Sequence, residues 1–128
     1  MRNEYADRYL VEKVNTASPA ELIGMLYDAG IVAMQAGKAA AEAGNIADTH
    51  RHLVRAQNVV VELRCSLNIG AGQLAAHLDA LYEFLGQRLV DANVKKDGTI
   101  VAECIRIFAP LRDAWREACL GHVPAAVA

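Results

Sequence analysis

Apolar residues recur every three or four positions through four long stretches of this chain. Ile46, Leu53, Ala56, Val60, Leu63 and Leu67 fall on alternating three- and four-residue steps, with one gap at Thr49. Leu74, Leu78, Leu81, Leu85 and a looser Leu89 repeat the pattern, as do Ile100, Cys104, Ile107, Leu111, Ala114 and Ala118. A broader stripe runs through Leu22, Met25, Leu26, Ala29, Val32, Ala33 and Ala36. Residues at this spacing share one side of an α-helix, whereas a strand alternates every second residue. Each stretch therefore reads as a helix with one apolar face. The apolar content of 54% is mostly Ala, Leu and Val and only 5% of residues are aromatic, a mixture that favours helices over a sheet.

Breakers divide the stretches. Ser18-Pro19-Ala20-Glu21 is a strong helix start: Ser18 caps, Pro19 suits the first helical position, and Glu21 completes a capping box. That helix is expected to reach about residue 43 and to stop at Gly44-Asn45, where glycine permits a left-handed residue. The next are expected over about 46–67, 72–92 and 99–119, separated by Asn68-Ile69-Gly70 and Lys95-Lys96-Asp97-Gly98. Helices of about twenty residues joined by short turns run antiparallel. The predicted architecture is all-α, an antiparallel up-down four-helix bundle with a short N-terminal lead. A length of 128 residues suits a single domain, read as a lead over 1–17, a bundle over 18–120 and a flexible tail over 121–128. Pro110 interrupts the fourth stripe, where it removes a donor and crowds the carbonyl of Arg106. A kink rather than a division is expected, because the stripe continues in phase through Leu111 and Ala114.

Catalysis and metal binding find little support in the side chains. Di-metal sites in helical bundles need Glu-x-x-His pairs, and neither Glu62 nor Glu83 has a histidine three residues later. His50 and His52 are two apart, so they point to different sides of a helix, and His77 is isolated. Three cysteines without a CxxC pairing indicate neither a disulfide framework nor a zinc cage. Cys65 and Cys104 lie within or beside apolar stripes and read as small hydrophobes. Arg116 followed by His122 reproduces a spacing found in some helical ribonucleases, but His122 lies past Gly121 and the expected helix end, where general acid–base work would lack a rigid support. Thirteen Lys and Arg against fifteen Asp and Glu offer no cationic surface for nucleic acid. No apolar run reaches spanning length, and no apolar segment follows a basic start. A soluble domain of a reducing compartment is the resulting expectation.

Apolar residues remain in excess. Beyond the stripes, Ile23, Ile31, Met34, Val54, Val59, Val61, Val90, Val101, Ile105 and Phe108 need a place, and a broad core is expected to absorb at least half of them. Those left over would line grooves suited to an amphipathic partner. Tyr5 and Tyr9, four apart in the lead, would form one amphipathic turn able to cover such a groove, or belong to a loose terminus.

The local motifs resemble those of a known family. The run Tyr5-x-x-x-Tyr9, followed by Val14 to Ala29 (VNTASPAELIGMLYDA), is similar to the amino-terminal signature of the flagellin export chaperones, the FliS family. Ala56 to Leu67 (AQNVVVELRCSL), Leu78 to Leu89 (LDALYEFLGQRL), Ala92-Asn93 and Leu111-Arg112-x-Ala114-Trp115 follow in order over essentially the whole chain. The resemblance implies a cytoplasmic chaperone of flagellar type III secretion that binds the carboxy-terminal segment of flagellin, prevents its premature polymerisation and assists its delivery to the export gate. It implies no enzyme activity, no cofactor, no nucleic acid and no stable membrane insertion. Tyr5, Tyr9, Leu10 and Val14 are then candidates for a displaceable lid over the client surface. Ile31, Met34, Val54 and Val61 are the candidate groove-lining residues, chosen from periodicity. Thr16, Ser18, Pro19 and Glu21 are assigned to capping; Tyr27 and Trp115 are candidates for helix packing first and for anchoring the client second. A ribonuclease using Arg116 and His122, and a flagellar adaptor without chaperone activity, are the alternatives of different class.

Overall fold

The computed structural model describes residues 4–120, apart from the side chain of Ile69. These residues form five α-helices: α1 (Glu4–Thr16), α2 (Pro19–Glu42), α3 (Ile46–Cys65), α4 (Gln73–Lys95) and α5 (Gly98–Cys119). A single 3-10 turn, Ile69–Ala71, joins α3 to α4. The expected lead is thus a helix of its own, and α5 passes Pro110 without dividing. The tail 121–128, including His122, lies outside the described residues.

Local chemistry sets the helix ends. Ser18 accepts from the Glu21 amide at 3.2 Å and its hydroxyl donates to the Glu21 carboxylate, while Pro19 occupies the first turn, where it forfeits no bond. Thr16 takes no part in this cap; its hydroxyl donates to the Glu12 carbonyl and closes α1 instead. Gly44 adopts φ +73°, the left-handed residue that ends α2. Asn45 caps α3 through the Asp48 amide, and Asp97 caps α5 through the Thr99 amide. At the end of α4 the left-handed residue is Lys96, not a glycine. Its ammonium donates to the carbonyl and the side-chain oxygen of Asn93, both at 2.6 Å, which holds the strained residue in place.

Four helices close a ring: α2 packs on α3 and α5, and α4 packs on the same two. The core lies within it, built around Met34, Leu53, Leu63, Leu85, Leu89, Val101 and Phe108. Six of the ten spare apolar residues (Ile23, Ile31, Met34, Val59, Val101 and Phe108) are buried there, as a broad core requires. The apparent gap at Thr49 is a core position, where a fully buried hydroxyl donates to the Asn45 carbonyl at 2.6 Å. Gly30 and Gly37, two turns apart on α2, let the neighbours close in. A Cβ at Gly30 would stand 2.7 Å from the Phe108 ring, and one at Gly37 2.5 Å from a Leu53 methyl. Exposed ion pairs tie the ring from outside: Arg64–Asp79 between α3 and α4, Arg88–Glu103 between α4 and α5, and Arg116–Asp28 between α5 and α2, each 2.7 Å. Among the described residues no helix is long and apolar enough to cross a membrane.

Candidate binding grooves

The stripes on α4 and α5 do not stay in the core along their whole length. α4 buries Ala75, Tyr82, Leu85, Leu89, Ala92 and Asn93, and α5 buries Ile100, Val101, Cys104, Phe108 and Trp115. Leu74 stands exposed, Leu78 and Leu111 are half-buried, and Ala114 is exposed. These leftover positions converge at one end of the ring. There Leu74 and Leu78 of α4 and Leu111, Ala114 and Ala118 of α5 line an apolar groove of about 260 Å³. Ile23 and Tyr27 of α2 form its third wall, and Ser66 and Leu67, just past α3, its edge.

Aromatic residues make the floor. The hydroxyls of Tyr27 and Tyr82 hydrogen-bond across the ring, so each satisfies the other in a buried setting. The Tyr27 ring packs against Phe108 with centroids 5.3 Å apart and against Trp115 at 6.3 Å. Trp115 Nε1 donates to the Ala20 carbonyl at 3.1 Å, anchoring the end of α5 to the start of α2. Tyr27 and Trp115 are packing residues, as expected, and they also line the groove. Burial raises the pKa of both tyrosines above the ordinary 10.0, so their hydroxyls stay neutral.

A second, shallower groove of about 340 Å³ runs between α3 and α4. Its lining pairs Gln57, Val60, Val61 and Arg64 with Glu83, Gly86, Gln87 and Val90, and Tyr82 forms part of its base. Tyr82 therefore borders both grooves. Arg64 bridges Asp79 and Glu83 along one edge and holds the Asp79 carboxyl below the usual carboxylate range.

The candidate groove residues separate in this frame. Ile31 and Met34 are 4% and 0% exposed, so they belong to the core and not to a groove wall. Periodicity placed them on the right helix but could not show that α2 is covered on that face by both α3 and α5. Val54 is half-buried on α3, and Val61, 56% exposed, lines the second groove. Tyr5, Tyr9, Leu10 and Val14 lie on α1, which buries no residue; Tyr5 is 83% exposed. The three- and four-residue spacing assigns Leu74, Leu78, Leu111, Ala114 and Ala118 to core stripes alone. The signal that they also face outward is the looser phase of the α4 stripe, which cannot bury both Leu81 and its neighbour Tyr82 equally.

His50 and Arg116 have structural partners. Cys104 is buried and its thiol is pushed up to about 11 by burial, which leaves it unreactive at neutral pH. Cys65, expected to be buried, is exposed at the end of α3. His50 Nδ1 lies 3.0 Å from the Asn93 amide nitrogen, across α3 and α4. Arg116 is held by Asp28 in the exposed pair that links α5 to α2.

The sequence profile of the flagellar protein FliS matches residues 1–122. The chain belongs to the FliS family. The flagellar secretion chaperone FliS of Bacillus subtilis is 35% identical over 118 residues, which span 92% of this chain and 87% of the relative. The FliS of Vibrio cholerae is 32% identical over 104 residues, 80% of this chain and 76% of its own length. That of Salmonella typhimurium is 28% identical over 115 residues, 88% and 85% of the two chains. All three relatives are named flagellar secretion chaperones.

Proposed function

We propose that this FliS-family protein is a cytoplasmic chaperone that binds the carboxy-terminal segment of flagellin, prevents its premature polymerisation and helps deliver it to the flagellar export gate. The observation that carries the reading is the apolar groove framed by α2, α4 and α5, an open surface in a protein whose relatives are named as secretion chaperones. An amphipathic helix of an unassembled client has an apolar face that water penalises, and a groove of this chemistry covers it. Binding of this kind needs no cofactor and no catalytic group. The chain acts as one domain, with 1–17 as the lead, 18–120 as an antiparallel up-down four-helix bundle and 121–128 as a tail. Contacts at both ends of α3 and α4 support the up-down reading: Arg64 with Asp79 at one end, His50 with Asn93 at the other. The exposed Tyr5, Tyr9, Leu10 and Val14 of α1 join the client surface when it is occupied.

Titration calorimetry of the whole protein against a flagellin carboxy-terminal peptide tests the proposal. Saturable binding, weakened by Leu78→Asp and Leu111→Asp at the groove, is the expected result. Absence of binding at concentrations up to about a millimolar, the range of only the weakest specific contacts, refutes it.

A further inference from the structure

Gly86 sits in the interior of α4, where glycine ranks below every residue but proline as a helix former. Packing does not call for it. At Gly30 and Gly37 a Cβ would collide with the neighbouring helix, but a Cβ at Gly86 would meet nothing within 4 Å. It lies at the middle of the α3–α4 groove, whose lining has a regular form. Glu83, Gly86, Gln87 and Val90 stand at i, i+3, i+4 and i+7 of α4, and Gln57, Val60, Val61 and Arg64 stand at the same spacing on α3. Four residues so placed make the hole that receives a side-chain knob from a packed helix. The apolar members are Val60, Val61 and Val90, and the glutamines and the Arg64–Glu83 pair supply polar edges.

We propose that Gly86 is a specificity-determining residue for the client. It deepens the α4 hole so that a bulky aliphatic side chain of an amphipathic client helix seats there, with the helix lying along α3 and α4. The inference rests on the flagellin reading above and gives that client a second station. Tyr82, which borders both grooves, makes the two stations continuous. The occupant carries apolar residues at three- and four-residue spacing, with the largest over Gly86.

The test compares the wild type with Gly86→Ala and Gly86→Leu, using the flagellin carboxy-terminal peptide in calorimetry and thermal melts of the free proteins. Alanine is the better helix former and fills open space, so Gly86→Ala should melt a few degrees higher, about 3–6 °C. The same methyl narrows the hole and should weaken the peptide roughly tenfold, with Gly86→Leu weaker still. A peptide with Ala in place of its bulkiest residue at this station should lose affinity for the wild type and be insensitive to Gly86→Ala. Equal or tighter binding by both variants, with raised melting temperatures, overturns the role of Gly86 and leaves the flagellin reading standing. A wild type that binds no peptide overturns both.

Discussion

Tyr27 and Tyr82 show how a single pair can serve both core and surface. Each ring is nearly buried, and each hydroxyl has the other as its partner. Tyr27→Phe removes one hydroxyl and strands the other, a loss of about 1–3 kcal/mol, whereas the double change to Phe removes both and should be close to neutral. Urea midpoints of the two single variants and the double variant check this; strictly additive losses would show that the hydroxyls do not depend on each other. The same buried groups set the alkaline limit. Cys104 is raised from 9.0 to about 11, and both tyrosines are raised above 10.0, in each case chiefly by burial. These groups are neutral when protonated, and the folded state keeps its protons where the unfolded chain has begun to lose them. Their contribution to stability is therefore complete below about pH 9 and declines as the pH rises through 9 to 11 and beyond. Urea midpoints taken at intervals from pH 7 to 11 should be level at first and then fall, with a smaller fall in the Tyr27→Phe, Tyr82→Phe protein. A level profile up to pH 11 contradicts the assignment.

Among the elements, α1 differs from the others in what holds it. It has thirteen residues, near the lower limit for a helix in water, and it buries none of them. The Thr16 hydroxyl closes its end, and none of its side chains enters the core. In amide exchange α1 should therefore open with almost no cost, while the middle of α3, with Leu53, Val60 and Leu63 in the core, should exchange only through global unfolding. Equal protection of α1 and α3 would mean that α1 is docked in solution. The contrast also explains what was legible in the sequence. The three- and four-residue spacing, the Ser18 cap and the Gly44 stop locate the long helices closely, because these are local signals. α4 ends three residues beyond the expected position, since its left-handed stop is Lys96, held by Asn93, and not a glycine. Ile31 and Val61 have the same local character, and only the packing of one helix on two others decides that one is core and the other a groove wall. Likewise, spacing marked Leu74 and Ala114 as core residues, because it cannot show where neighbouring helices part.

At the scale of the whole molecule, charge and apolar surface make opposite demands on any partner. The chain carries thirteen basic and fifteen acidic residues, a near balance, and cross-helix ion pairs join Arg64, Arg88 and Arg116 to Asp79, Glu103 and Asp28. No strong field draws a partner from a distance, so attraction has to arise from burial at the grooves. Burial of apolar surface by an ordering client leaves a thermodynamic mark: a clearly negative heat-capacity change, with an ordering cost of a few kcal/mol set against the gross gain. It is also largely indifferent to salt. Raising sodium chloride from about 0.05 M to about 0.5 M shortens the screening length well below 10 Å and suppresses exposed charge contacts, but it leaves apolar burial in place. Calorimetry of the flagellin peptide at several temperatures and at both salt levels should give a negative heat-capacity change and affinities within roughly threefold of each other. A heat-capacity change near zero, or an affinity that collapses at the higher salt, would mean that charged rims such as Arg64–Glu83, and not the apolar walls between them, hold the client.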